Sequence, residues 1–234
     1  MTATRPSFVA WRDGPTLLAL LAALVARPLI YTLVDPQPFL GPLDGSQGRR
    51  PWWLFHLWIL LWQWLPFCVA WWALVRSGRP WSTYGVDWGW FRRHRRPLLA
   101  GAALLAVCAF AAPRYWYGTS PPAVARTLAL LPVTGWERLF FLVASVSAGI
   151  CEETCYRGLP LRGAVESTAG ALALLPVTIL SFVFVHGWFG WEHLGAYAAV
   201  GLAFGAAFLL LRRRRLEWLM VAHALLDAAL VAAP

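Results

Sequence analysis

Seven mostly apolar runs alternate with short polar connections along the chain: about Thr16–Val34, Trp52–Val75, Pro97–Ala112, Gly135–Arg157, Ala169–His186, Glu192–Leu211 and Leu216–Ala232. A helix needs roughly 20 mostly apolar residues to cross the hydrocarbon core of a bilayer. Most of these runs approach that length, while the third and seventh are short. The pattern predicts an all-α, polytopic transmembrane bundle of about seven spans. Pro28 and Pro66 fall inside the first and second runs and predict kinks, which neighbouring helices can accommodate. Arg126–Val133 reads as an extra half-helix or re-entrant piece. With no internal repeat, the chain reads as one membrane domain in two parts. Residues 1–125 form N-terminal helices with a basic cytoplasmic loop, and residues 126–234 form the part that carries the chemistry.

Composition strengthens this picture. Of 234 residues 59% are hydrophobic and only 13% charged, where a soluble domain carries about a quarter charged. The net charge of +9 would suggest nucleic acid in a soluble protein. Here all 20 basic residues are Arg and lie mainly between the apolar runs, as topology signals and lipid-headgroup contacts do. Nucleic-acid binding is therefore not expected, and membrane lipids are the expected surroundings. In the seven-span scheme one side collects Arg5, Arg12, Arg76, Arg79, Arg92, Arg93, Arg95, Arg96, Arg162 and Arg212 to Arg215. The other collects Arg49, Arg50, Arg114, Arg126 and Arg138. This bias puts the N-terminus in the cytoplasm and the C-terminus outside. The Ala, Gly, Pro and Arg richness points to a bacterial cell membrane.

Smaller features add detail. Trp81–Arg96 mixes aromatics with a basic cluster and is expected to lie along the cytoplasmic headgroups. Cys68, Cys108, Cys151 and Cys155 form no CxxC pair and read as small apolar residues. The first apolar run lacks a small-residue cleavage site and reads as a retained helix rather than a signal peptide.

Ionisable groups inside spans cost roughly 2.5–3.5 kcal/mol each on insertion scales and mark functional sites by default. The C-terminal half concentrates them in three places: Glu152-Glu153-Thr154-Cys155-Tyr156-Arg157, Phe182 to His186, and His223 to Asp227. Glu153 and Arg157, spaced i and i+4 with the acid first, can pair on one helix face. Glu152 points ~100° away and lacks that partner. A carboxylate without a cation beside it in an apolar setting can serve as a general base. His223 and Asp227 share a face, so the acid can orient the imidazole or join it as a ligand. Phe182 can wall the ring of His186. Glu152, His186, His223 and Asp227 could hold a divalent metal such as zinc that activates water. Without metal, Glu152 and His186 could activate water while His223 and Asp227 stabilise the oxyanion. Either route hydrolyses an amide.

The ordered set Glu-Glu-x-x-x-Arg, Phe-x-x-x-His and His-x-x-x-Asp, on separate spans, resembles the signature of the CAAX-protease and bacteriocin-processing family of intramembrane proteases, related to the Ras-converting CAAX endopeptidase. The likeness covers roughly Trp136–Ala232. It implies a helical fold with a membrane-embedded site open to the cytoplasmic side, cleaving a membrane-anchored or lipidated peptide. It further implies Glu152 as catalytic base assisted by His186, His223 and Asp227 completing the site, and Glu153 and Arg157 in support. Asp227 stands where the eukaryotic branch carries Asn, which weakens transfer of the metal-free oxyanion role.

Two rival readings stand beside the protease. A non-catalytic scaffold or bacteriocin-immunity member would keep the motifs for stability. A proton-coupled transporter would need a second polar lining in the N-terminal spans, where only Arg27, His56 and Gln63 occur. The seven-span scheme also carries an internal conflict. Arg157 falls at the cytoplasmic end of the fourth span and His186 at the opposite end of the fifth. The conflict points to a fifth helix that starts later, or to a His186 that lies deeper in a helix continuing past Gly190.

Overall fold

A computed structural model describes residues 13–33, 52–89, 92–94, 131–186 and 194–229. The elements are α1 (Gly14–Leu21), a π-helical turn (Ala22–Ala26) and α2 (Arg27–Leu33), which form one continuous passage. Next come α3 (Trp52–Arg76), a 3-10 turn (Trp81–Tyr84), and α4 (Gly135–Glu153) with a π-helical continuation (Thr154–Gly163). The chain then forms α5 (Thr168–His186), α6 (Leu194–Leu210) and α7 (Leu216–Ala228). No β-strand occurs among the described residues, so the all-helical expectation holds.

Three helical stretches are long and apolar enough to cross a membrane: His56–Arg76, Gly135–Gly163 and Thr168–His186. Gly14–Ile30 and Leu194–Leu210 form shorter apolar helices, and α7 is shorter still at 13 residues. The third expected span, Pro97–Ala112, and most of the Arg126–Val133 half-helix lie outside the described residues. The protein is an integral membrane protein, with three spans supported among the described residues where about seven were expected.

Its surface carries large apolar side chains, and its apolar core encloses a set of buried polar groups. Leu18, Leu21, Val25 and Leu29 on the first passage, Leu57, Leu61 and Leu65 on α3, and Leu139, Leu142 and Val146 on α4 are exposed at helical spacing. Arg27, His56, Gln63, Glu152, Glu153, Arg157, Glu217 and His223 are buried. Lipid solvates the first set. The second must find partners inside the bundle.

Proline explains the irregular turns. Pro28 has no N–H to donate, and its ring would strike the carbonyl four residues back in a regular helix. The preceding turn widens instead, and the Arg27 N–H reaches the Ala22 carbonyl. Pro160 sits likewise within the π-helical continuation of α4. Such turns re-aim the side chains beside them and recur at functional sites. Here they lie next to Arg27 and next to Glu152 and Glu153.

The continuation of α4 lengthens the fourth span and eases the depth conflict, while a continuation of the fifth helix past Gly190 lies outside the described residues. The fifth helix begins at Thr168, close to the expected Ala169. The fourth runs on to Gly163, six residues beyond Arg157, or roughly 9 Å at helical rise. Arg157 therefore lies well inside the stretch. It meets α5 at Phe182, whose ring lies 4.9 Å from its guanidinium carbon. One turn further along each of these neighbouring helices brings in Glu153 and His186.

The expectation for Trp81–Arg96 is corrected in its first half. Trp88 is exposed, but Tyr84 and Val86 are buried, so Trp81–Asp87 plugs the bundle instead of lying on headgroups. Tyr84 donates to the Ala70 carbonyl at 3.0 Å, and its ring covers Gly163, where a Cβ would stand 2.5 Å from Tyr84 Cε1. Asp87 pairs with Arg215 at 2.6 Å, and the Gly85 carbonyl accepts from the amides of Arg215 and Leu216. Arg213 donates to the carbonyls of Leu161, Val165 and Ser167 at 3.3, 3.2 and 3.1 Å. Arg162 in turn donates to the Arg213 carbonyl at 2.8 Å. These two Arg thus latch the α4–α5 and α6–α7 connections together. Tyr84→Phe removes one buried hydrogen bond at unchanged packing, and is expected to cost about 1 kcal/mol. Thermal melting of the detergent-solubilised protein checks it.

Candidate active site

Helix α4 starts with a capping box, Thr134 accepting from the Glu137 amide and Glu137 answering at the Thr134 amide. It ends in the adjacent acids Glu152 and Glu153, both buried. Helix α7 runs against α4 at backbone distance. A Cβ on Gly149 would lie 2.3 Å from the Met220 carbonyl oxygen and 3.0 Å from the Ala224 amide nitrogen. This approach brings His223 of α7 onto the acids one turn further along α4.

Glu153 is the hub of one cluster. Its Oε1 accepts from Arg157 at 2.8 Å, the pair expected from their spacing, and from His223 Nδ1 at 2.7 Å. A carboxylate oxygen only accepts, so Nδ1 carries the proton and Nε2 is the His223 nitrogen that faces the site. The orienting acid is therefore Glu153, where Asp227 was expected to share or take that role. Asp227 Oδ2 stands 3.6 Å from Nε2 and is partly exposed. Phe182 and Phe204 flank Arg157, and Phe204 also packs edge-on against His223 at 5.7 Å. They form an apolar wall that strengthens these charged contacts.

Glu152 is not without a partner, which corrects the sequence reading. Its Oε1 accepts from Arg27 at 2.7 Å and from Gln63 at 3.3 Å. Both donors come from N-terminal helices, and both side chains are buried. The other oxygen, Oε2, is buried with no hydrogen-bond partner among the described residues. It stands 3.8 Å from His223 Nε2. Helix α4 thus carries two acids with divided labour. Glu153 sets the histidine, and Glu152 is anchored at one oxygen and open at the other.

His186, at the end of α5, is half-buried. Its Nδ1 donates to the Phe182 carbonyl at 2.7 Å, which again leaves Nε2 as the nitrogen with a lone pair. The ring stacks on Tyr197 of α6 at 4.4 Å between centroids and leans on Phe182 at the same distance. Phe182 does wall the imidazole. His186 lies within electrostatic reach of Glu152, His223 and Arg27.

Of the four expected metal ligands, Glu152 and Asp227 stand 3.8 and 3.6 Å from His223 Nε2. Among the described residues no three of His, Cys, Asp and Glu are arranged to hold an ion. The Glu152 carboxylate that would bind one already faces the Arg27 cation. This donor set does not fit a zinc site as arranged, and no step below passes through a metal.

Arg27 and Gln63 went unassigned in the sequence reading, though a signal existed. Arg27 sits in an apolar run with no acid three or four residues to either side. A guanidinium so placed must find its counter-ion on another helix. Cys151 and Cys155 are buried packing residues as expected. His56 Nδ1 donates to the Trp52 carbonyl, 2.9 Å away, and its ring stacks on Trp52 at 3.8 Å. Arg27 and Gln63 serve the Glu152 site itself, not the separate lining a transporter would need.

The cluster of α4, α5 and α7 that carries these contacts coincides with a recognised unit. Residues 134–229 match the family model of the Rce1-like type II CAAX prenyl endopeptidases. Over that segment the chain is similar to this family. The match bears out the resemblance drawn from the three motifs, and it begins at Thr134, the cap of α4. No curated protein and no solved structure matches the chain. Arg27 and Gln63, which complete the surroundings of Glu152, lie N-terminal to the Rce1-like segment.

Proposed function

We propose that the protein is an intramembrane endopeptidase that hydrolyses a peptide bond in a membrane-anchored or lipidated substrate. One observation carries this reading. A buried carboxylate, fixed at one oxygen by Arg27, turns its unpartnered oxygen toward an imidazole nitrogen 3.8 Å away. A water placed between Glu152 Oε2 and His223 Nε2 would hydrogen-bond to both. Glu152 takes a proton from this water as the oxygen attacks the scissile carbonyl, and returns it to the departing amine. His223, oriented by Glu153, stabilises charge on the carbonyl oxygen when Nε2 is protonated. His186, within electrostatic reach of Glu152, assists it in this reading. Asp227, an acceptor, cannot donate to an oxyanion while ionised, and its place at the exposed edge suits an incoming substrate. The Arg bias supports an N-terminus in the cytoplasm and a C-terminus outside, and the Ala, Gly, Pro and Arg richness supports a bacterial cell membrane.

The test is comparative mass spectrometry of membrane peptides from cells carrying the native chain or His186→Ala, with the purified protein assayed in parallel with and without a chelator. Specific cleavage products should vanish with His186→Ala and persist in chelator. If the peptide sets are identical and the cellular phenotype unchanged, the scaffold reading takes over.

A further inference from the structure

The matched segment does not account for the environment of one buried cation. Arg27 is buried in the membrane domain, outside the matched residues, with its guanidinium on the acid that the mechanism uses as base. We infer that Arg27, assisted by Gln63, is the positioning residue of the active site: it binds Glu152 Oε1 so that Oε2 alone is presented to water, and the N-terminal helices are thereby part of the catalytic unit. This rests on the proteolytic reading and extends it beyond the matched segment.

Three observations point the same way. The contact is direct and short, 2.7 Å, and Gln63 reaches the same oxygen from a different helix. Two donors on one oxygen distinguish the two ends of an otherwise symmetric carboxylate. Next, both partners sit beside π-helical turns, Ala22–Ala26 before Arg27 and Thr154–Gly163 after Glu153. In α1 and α2 the wide turn sets the face on which Arg27 emerges. A turn of this kind is kept where it aims a side chain. Finally, the local charge is otherwise one-sided. Glu152, Glu153 and Asp227 all surround His223, and Arg157 is committed to Glu153 and the Gly201 carbonyl. Arg27 supplies the cation that lets a second carboxylate stay ionised beside the first. The guanidinium is also held over the Tyr156 ring at 5.5 Å, which fixes its plane.

The probe is a farnesylated, quenched fluorescent peptide ending in a CAAX sequence, assayed with the full chain in lipid nanodiscs. Arg27→Met should lower kcat by about 10²-fold, the scale of a misplaced catalytic group, with KM within about threefold because the substrate itself is not touched. Arg27→Lys should restore most of kcat, since a charged donor remains. Thermal melting supplies a readout independent of cleavage: Arg27→Met should destabilise the native chain clearly more than it destabilises Glu152→Gln. Unchanged kcat in a folded Arg27→Met, or equal destabilisation in both backgrounds, overturns the inference and leaves the proteolytic reading standing. If the native chain cleaves neither this peptide nor any membrane peptide, the proteolytic reading fails first and the positioning role falls with it.

Discussion

Glu152→Gln is expected to reduce peptide hydrolysis by about 10³-fold, within the usual range for loss of a general base. The amide has the carboxylate's shape, and its carbonyl oxygen can still accept from Arg27 and Gln63. It cannot take a proton from water at the position of Oε2, so the loss should appear in kcat more than in KM. The substitution also removes the counter-ion of a buried guanidinium. Breaking one member of a buried pair costs roughly 3–5 kcal/mol where no replacement charge is near, so melting should shift downward as well. The two effects separate in Glu152→Asp. The charge is kept, which should recover much of the melting temperature. The shorter side chain withdraws the oxygen from His223, which should leave hydrolysis low. Measured turnover with the farnesylated probe, set beside melting curves for the three proteins, checks both parts. Full activity in Glu152→Gln would remove Glu152 from the mechanism.

How much of this was legible in the sequence depends on the range of the interaction. Helix positions followed from apolar runs, so Trp52, Gly135 and His186 stand at helix ends in both the reading and the structure. Contacts within one helix were legible too. Glu153 and Arg157 pair because they are a turn apart, and Phe182 meets His186 for the same reason. Pro28 marked an irregularity, but its form, a widened turn that sets the direction of Arg27, depends on which neighbouring helix offers a partner. The Arg27–Glu152 pair joins positions 125 residues apart, and no spacing rule reaches that far. What the sequence did contain was an imbalance, a cation in an apolar run without a nearby acid. The contact of Glu153 with His223 was hidden for a related reason. Local spacing linked His223 to Asp227, whereas the tighter contact comes from the facing helix.

Gly149 shows the same limit and leads to the second large effect expected. It is one of 19 glycines, and nothing in its flanking residues separates it from the rest. The structure does: a Cβ there would stand 2.3 Å from a backbone oxygen of α7 and about as close as atoms can approach to the next amide and methyl. Backbone cannot swing aside as the tip of a side chain can, so even Gly149→Ala must push α7 away from α4. In membranes such small residues permit close helix contact, and much of the association comes from packing. The His223 Nδ1 to Glu153 contact, 2.7 Å long, lies one turn along the same seam. A displacement of about 1 Å there is enough to lower catalysis by roughly 10²-fold. Overpacking of this kind costs about 1–3 kcal/mol and often more for larger groups. The expected order in melting temperature is therefore Gly above Ala above Leu. Activity should fall faster than stability, because hydrogen-bond geometry fails before the helices separate. If Gly149→Leu melts and cleaves like the native chain, α4 and α7 do not pack as found here, and the histidine they hold together is not the one that meets Glu153.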